Sequence, residues 1–329
     1  MVKVKYNLQF LLVLSLSILA TYCIGSDNSG LTYFDPGNPD HKNIAKSTAS
    51  VEVKIDKKTP TFVIPPCFYG INSHPLPAEE AFRCPELVKA LKPDSIRIMT
   101  LERIFWYREN GKAIKKVESL SPGSGQFKWK LIDALMQKIN DFGAEPYIAI
   151  GFGAPKWLNS ANEPRFGRPL RKDIPEYADF IADIAAHIAK NKFNVRYVTV
   201  DNEPENVKFP IEDYVLLYQL ASKKIHQTAP GLKIAGPTTG YAYWTQPDGR
   251  KMGFTTSLKY LYNAGIRFDA IDWHIYSLSH DRIYRTVDAV KRVYGSDAKL
   301  FISELNLDWR YSGKGGNKSK HNNTSWNSV

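Results

Sequence analysis

The chain has 329 residues, of which 43% are hydrophobic and 23% charged, a composition that is typical of a globular protein and excludes a mainly disordered or fibrous chain. Its formal net charge is +11, but the basic residues are scattered along predicted helices and a polar tail, and there is no arginine-rich block. In the absence of any nucleic-acid-binding motif, we expect no nucleic-acid partner, while loose adsorption to acidic polysaccharide stays open.

Residues 1–25 have the pattern of a secretory signal peptide. Lys3 and Lys5 precede an apolar run from Phe10 to Ala20, and a cleavage point follows Gly25. The run is short for a membrane span, so we expect a secreted, extracellular protein with no membrane contact after cleavage. An uncleaved membrane anchor is the alternative.

Removal of this segment leaves two cysteines, Cys67 and Cys84. An even pair in a secreted chain predicts a disulfide, although two free buried thiols remain open. In a eukaryotic host, the sequons at Asn317, Asn322 and Asn323 would accept N-linked glycans.

The segment before the main domain divides into two parts. Residues 26–50 are rich in Ser, Asn, Asp, Gly and Pro, which predicts a linker or loose arm. Residues 51–66 predict an accessory β segment, because Val51 to Ile55 alternates apolar and polar side chains and Thr61 to Ile64 offers a partner strand.

From residue 67 onward, short apolar strands alternate with amphipathic helices, which is typical of a parallel sheet covered by helices. The predicted strands cover 68–72, 95–99, 146–150, 195–200, 232–236, 268–276 and 300–304. The predicted helices cover 86–91, 130–142, 174–190, 211–228, 254–264 and 281–294.

Seven such units over residues 67–309 predict an α/β fold, a (β/α)8 TIM barrel that lacks its eighth β/α unit. A doubly wound sheet is the alternative, but it would have a phosphate-binding glycine loop where this chain has Asn72-Ser73-His74-Pro75. Residues 310–329 predict a disordered polar tail. Since seven strands leave two open edges, we favour a truncated sequence over an unusual closure of the barrel.

Two of these strands end in a carboxylate, and the carboxyl ends of barrel strands line one mouth. The fourth strand ends in Asn202-Glu203-Pro204, and the seventh ends at Glu304. Paired carboxylates in one cleft are what glycoside hydrolysis requires. Other residues expected at the mouth would stack on sugar rings or bind hydroxyls. They are His74, Arg97, Trp157, Trp273, His274, Tyr276 and Trp309.

Several of these residues also have purely structural interpretations. Trp157 and Trp309 are as readily explained by packing. In the same structural interpretation, Arg97 would only stabilise the barrel mouth by pairing with a carboxylate. His274 would be a hydrogen-bonded core histidine. The pair of strand-end glutamates, with asparagine directly before the first, is more specific than any of these single residues.

The arrangement resembles the retaining (β/α)8 glycoside hydrolases of clan A over roughly residues 60–309. The resemblance is carried by Asn202-Glu203-Pro204, Ile302-Ser303-Glu304, Arg97 and Trp273-His274-Ile275-Tyr276. Within the clan, Asp201-Asn202-Glu203-Pro204 is similar to family 44 endoglucanases, and the opening at 68–72 is similar to family 39 β-xylosidases.

The resemblance implies a role for each matching residue. Glu203 would be the general acid/base and Glu304 the nucleophile, while Asn202 would bind the hydroxyl next to the reacting carbon. Tyr276 would hydrogen-bond the nucleophile, and Arg97 would keep it ionised.

These observations predict a secreted retaining β-glycosidase that acts as a monomer on a β-linked polysaccharide or oligosaccharide. The two-glutamate mechanism needs no cofactor and no metal, and the sequence has no histidine–cysteine cluster suited to one. The alternative is an inactive, incomplete barrel that binds carbohydrate.

Overall fold

The computed structural model describes residues 70–73, 85–99, 102–109, 112–159, 167–206, 208–240, 243–246, 248–276 and 280–306. The predicted signal peptide, arm, accessory segment and tail lie outside these residues, as do both cysteines of the predicted disulfide, His74 and Trp309. The strands are β1 (Gly70–Ser73), β2 (Ser95–Met99), β3 (Glu102–Glu109), β4 (Lys112–Ser119), β5 (Glu145–Ile150), β6 (Tyr197–Val200), β7 (Lys233–Thr239), β8 (Trp244–Thr245), β9 (Lys251–Met252), β10 (Ala270–Tyr276) and β11 (Leu300–Asn306). The helices are α1 (Pro85–Leu91), α2 (Trp129–Asp141), α3 (Ile174–Lys190), α4 (Ile211–Thr228), α5 (Phe254–Asn263) and α6 (His280–Tyr294), and a 3-10 turn at Arg171–Asp173 precedes α3.

The main sheet has seven parallel strands in the order β1-β2-β5-β6-β7-β10-β11. The order follows the chain without reversal, whereas a doubly wound sheet reverses direction at a switch point. Helices separate the strands and cover the outside. The fold is therefore a nearly closed (β/α)8-type barrel that lacks one unit, which confirms the predicted fold class.

The inside of the barrel is filled by aromatic rings at its amino end. Tyr147 of β5, Tyr197 of β6 and Phe301 of β11 form one cluster with the small residues Ala235 and Ala270. The rings of Tyr197 and Phe301 meet edge to face with centroids 4.8 Å apart. Because Tyr197 is the first residue of its strand, this layer forms a floor beneath the mouth.

The larger core lies between the sheet and the helices. The buried stripe of α3, including Ile181 and Ile184, belongs to the same cluster as Val198 and Val200 of β6. Fully burying such a side chain stabilises the fold by about 1.5–3 kcal/mol. Within the described residues, no helix is both long enough and apolar enough to span a membrane.

Trp273 also lies between the sheet and the helices, in a second hydrophobic cluster, and not at the mouth. It is fully buried in a cluster with Phe254 and Leu258 of α5, and its ring centroid lies 6.1 Å from that of Phe254. Alternate residues of a strand point to opposite faces, so Trp273 points outward while Asp272 and His274 point inward. The expectation that Trp273 lines the mouth was wrong for this reason.

Two antiparallel ribbons interrupt the strand–helix alternation and were not predicted. β3 and β4 pair over their whole length, from Glu102↔Ser119 to Glu109↔Lys112, and β8 pairs with β9 after β7. Asn110-Gly111, a common two-residue hairpin connection, was the sequence signal for the first ribbon. The ribbon is inserted between β2 and α2, so it does not follow the strand–helix repeat from which the other elements were predicted.

Candidate active site

The turn after β6 aims Glu203 into the mouth. Asp201 and Glu203 have φ values of +67° and +45°, a region that non-glycine residues rarely adopt. The Asp201 N–H donates to the Ile150 carbonyl of β5 (2.8 Å), and the Glu203 N–H donates to the Thr238 carbonyl of β7 (3.0 Å). Such conformations cost about 1–3 kcal/mol each, so bonds to both neighbouring strands are what hold the turn.

The side chain of Asp201 stabilises the same turn through hydrogen bonds. Its Oδ1 accepts hydrogen bonds from the backbone N–H groups of Gly153 (2.9 Å) and Asn202 (2.7 Å), and the Tyr177 hydroxyl lies 3.2 Å from Oδ2. Burial raises the pKa of Asp201 to about 6, against the lowering effect of these hydrogen bonds. The residue is fully buried and therefore has a structural position behind the site.

A β-bulge in β11 directs the side chain of Glu304 into the mouth of the barrel. Trp273 pairs with Ile302, but His274 pairs with Glu304, so Ser303 is an extra residue in β11. Without it, the alternation along the strand would direct Glu304 outward, as it directs Ile302. The Ser303 N–H donates to Oδ1 of the buried Asp272 (3.1 Å), which holds the extra residue in place.

Arg97 links the two carboxylate-bearing strands across the mouth. Its Nη1 donates to Glu304 Oε1 (2.8 Å), and its Nη2 donates to Asn202 Oδ1 (2.5 Å). The side chain is only 3% exposed. Burial alone would lower the pKa of Arg97, but the charges of Glu304 and Asp272 raise it above its usual value, so the guanidinium stays cationic.

His274 stands between the two glutamates. Its Nδ1 lies 2.7 Å from Glu203 Oε1 and its Nε2 lies 3.5 Å from Glu304 Oε1. Burial lowers the pKa of His274, yet the charge of Glu304 and the hydrogen bond to Glu203 raise it more, so the net shift is upward. The second oxygen of Glu203 accepts a hydrogen bond from Asn206 Nδ2 (2.6 Å).

These contacts bring Glu203, His274 and Glu304 together at the mouth, with ligand atoms that all lie within 4.8 Å of one another. Three such groups at this spacing would also suit a metal ion by distance alone. However, the guanidinium of Arg97 already sets a fixed positive charge against Glu304. The electrostatics therefore favour proton transfer between these groups over binding of a further cation.

The other predicted residues are less directly connected to this cluster. Trp157 packs edge to face on Phe180 of α3, and its Nε1–H donates to Ser121 Oγ (3.0 Å), which are contacts of a packing residue. Tyr276 lies two residues after His274 on the same strand, with its backbone paired to Asn306. Their roles in sugar binding stay predictions.

Several residues around the cluster were not identified from sequence. Asp272 carried a usable signal, because it is a charged residue inside an apolar strand, on the same face as His274. Glu205 and Asn206 received no role, and their closeness to Glu203 in the chain was the signal for them.

Comparisons with known proteins agree with this fold. The profile of Glycosyl hydrolases family 39 matches residues 99–300. A family 39 β-xylosidase from Caulobacter crescentus superimposes with a TM-score of 0.51 at 17% identity, covering 75% of this chain and 55% of that one. A monomeric β-xylosidase from Caulobacter crescentus CB15 gives 0.51 at 18% identity, with 73% and 52% covered. An endo-β-1,4-glucanase from Xanthomonas axonopodis pv. citri gives 0.50 at 15%, with 73% and 78% covered.

A barrel of this kind, with a family profile over most of its length, has the fold of the clan A glycoside hydrolases. The chain belongs to glycosyl hydrolases family 39. It spans about half the length of the two β-xylosidases that it resembles. Among curated protein sequences, none matches it.

Proposed function

We propose that this chain is the barrel of a retaining β-glycosidase, with Glu304 as nucleophile and Glu203 as general acid/base. The observation that carries the proposal is the approach of the two carboxylates, each of which places one oxygen within 4.8 Å of an oxygen of the other. Retaining enzymes hold their carboxyl groups about 5–5.5 Å apart, whereas inverting enzymes separate them by about 6.5–9.5 Å to admit a water molecule.

The surroundings of each carboxylate suit its proposed role. Arg97 stabilises the ionised form of Glu304, which must attack the anomeric carbon as an anion. Glu203 faces His274 Nδ1 and can hold or exchange a proton there.

The proposed reaction has two steps. In the first, Glu304 forms a bond to the anomeric carbon while the glycosidic bond breaks, and Glu203 gives its proton to the leaving oxygen. In the second, Glu203 takes a proton from water, the resulting hydroxide attacks the same carbon, and the bond to Glu304 breaks. Both steps invert the carbon, so the overall configuration is retained.

The substrate class, the location and the oligomeric state complete the proposal. The two β-xylosidases among the similar structures support a β-linked pentose unit as the substrate, and the endo-β-1,4-glucanase supports a β-linked hexose unit. The pattern of residues 1–25 supports secretion. One similar structure is described as monomeric, which supports action as a monomer.

A second function is favoured by one observation. The described sheet has seven strands, and the chain covers about half the length of its β-xylosidase neighbours. A barrel without an eighth strand leaves the first and seventh strands without a ladder between them, which would loosen the side of the mouth that holds Glu304. Such a protein would bind β-glycans without cleaving them.

The test is turnover of aryl β-xylosides and β-glucosides by the full chain and by two variants. Glu304→Ala is expected to lose nearly all activity, because no other group can form the glycosyl-enzyme. With an acidic phenol as leaving group, Glu203→Ala should still cleave the bond but hydrolyse the intermediate about 10²–10⁴-fold more slowly. Azide needs no base and should restore turnover of this variant, giving a β-glycosyl azide.

Glu212→Ala, which removes an exposed glutamate from α4, is the matched control and should retain full activity. Azide rescue of Glu304→Ala to an α-glycosyl azide would reverse the two roles. Binding of oligosaccharide without any product would favour the carbohydrate-binding alternative.

A further inference from the structure

A third carboxylate, Glu205, lies behind Glu203 and has no part in the reaction proposed above. Its Oε1 accepts hydrogen bonds from Thr239 Oγ1 (2.8 Å) and from the Gly240 N–H (2.5 Å), both at the end of β7. Its Oε2 is buried and has no hydrogen-bond partner among the described residues. A buried carboxylate with one unsatisfied oxygen is costly when ionised, so this environment favours the neutral acid.

Gly240 shows how closely the two carboxyl groups approach. A Cβ atom at this position would lie 2.6 Å from Glu203 Oε1 and 3.3 Å from Glu205 Oε1. Both oxygens therefore face the same small space, which only glycine leaves open. Two carboxylates that close repel one another when both are ionised, so a negative charge on one opposes ionisation of the other.

The groups around this pair come from every neighbouring element. Glu203 faces Glu205 from the same turn, and His274 of β10 contacts the Glu203 oxygen, Oε1, that also lies beside Gly240. On α4, burial raises the pKa of Tyr214 most, and the charge of Glu205 adds a smaller contribution. Burial, followed by the charge of Glu203, raises the pKa of Glu205 to about 7.

We propose that Glu205 is a positioning residue for the acid/base step, which keeps the proton on Glu203 as the pH rises. The charge of an ionised Glu205 opposes loss of the proton from Glu203, just as the charge of an ionised Glu203 opposes ionisation of Glu205. The alkaline limit of activity is thereby extended. This proposal rests on the role of Glu203 in the proposed function.

The first experiment compares the pH dependence of kcat/KM in the full chain and in Glu205→Gln. Glutamine keeps an oxygen for Thr239 and Gly240 but cannot ionise. The alkaline limb should move down by about 0.5–1 pH unit, which is a loss of about 3–10-fold at a fixed pH on that limb, with little change at acidic pH. Glu212→Gln, on the exposed face of α4, is the matched control and should leave the profile unchanged.

Thr239→Val removes one hydrogen bond that stabilises the ionised form of Glu205. It should shift the alkaline limb in the same direction by a smaller amount, and it serves as the test should Glu205→Gln fail to fold. A purely structural role would lower activity equally at all pH values. An unchanged alkaline limb in an active Glu205→Gln protein would overturn the proposal.

Infrared difference spectroscopy provides a readout that does not depend on glycosidase activity. The parent should show a buried carboxylic acid band that disappears as the pH passes about 7 and that is missing in Glu205→Gln. In Glu203→Gln, this titration should move to lower pH, because the neighbouring charge is gone. An inactive chain that shows both effects would contradict the proposed function but support the pairing of Glu203 and Glu205. A band unaffected by either substitution would overturn the pairing.

Discussion

Single residues behind the site carry part of its geometry, and Asp201 is the clearest case. It does not face the mouth, yet it accepts hydrogen bonds from the backbone N–H of Asn202, in the turn that presents Glu203, and from that of Gly153, after β5. An asparagine oxygen could accept the same bonds. What distinguishes the native residue is its charge, which is unfavourable at this buried position.

Asp201→Asn should therefore change the pH dependence of stability. A folded-state pKa of about 6, above the unfolded value of about 3.9, means that the native state holds the proton more tightly. The parent then loses stability as the pH rises from about 4 through 6, by up to about 3 kcal/mol, whereas the variant does not. Urea unfolding at a series of pH values measures this difference.

Asp297→Asn, at an exposed loop position, should follow the parent curve and serves as control. If Asp201→Asn also follows the parent curve, the Asp201 carboxyl does not hold its proton in the folded state.

At the scale of elements, the pairing of β10 with β11 decides which way Glu304 points. The extra residue Ser303 sits beside Asp272, whose Oδ2 also accepts the Tyr147 hydroxyl (2.5 Å). Burial raises the pKa of Asp272, against the lowering effect of Arg97 and His274. The strand irregularity, the buried acid and the arginine thus form one connected unit beneath Glu304.

Asp272→Ala and Asp272→Asn should separate the hydrogen bond from the charge. Alanine leaves the Ser303 N–H without its acceptor and should displace Glu304, and a shift of about 1 Å can lower kcat by about 10²-fold. Asparagine retains an acceptor and should lose much less. Steady-state kinetics with a parallel measurement of Tm tests this, and equal losses in both variants would show that the charge matters more than the bond.

At the scale of the whole molecule, the sheet is unevenly supported. β6 is buried along its length and paired on both sides, whereas β1 and β11 end the described ladder. Amide protection reflects the free energy of local opening, which is lowest where fewest contacts hold a segment.

Hydrogen exchange should therefore be slowest in β5, β6 and β7 and at least about tenfold faster in β1 and β11, because opening the end strands breaks one ladder and not two. Mass spectrometry of peptides from each strand measures these rates. Equal protection of β1 and β11 would indicate that segments outside the described residues cover those edges.

The sequence by itself determined the order of the barrel strands and helices and their limits to within three residues, because periodicity and end signals are local properties of the chain. It also placed Glu203 and Glu304 at the ends of the fourth and seventh strands. It did not reveal the ribbon of β3 and β4, although Asn110-Gly111 marked it, because the ribbon is an insertion that does not follow the strand–helix repeat.

Only the tertiary structure decided what surrounds those glutamates. Arg97 and Glu304 are 207 residues apart in the chain, and their pairing was implied by the family resemblance and not by any local pattern. The outward direction of Trp273, the bulge at Ser303 and the packing of Glu205 against Gly240 likewise depend on strand register and on contacts between distant segments. The physical reason is that a side chain's direction and charge environment are set by its neighbours in space, while its secondary structure is largely set by its neighbours in sequence.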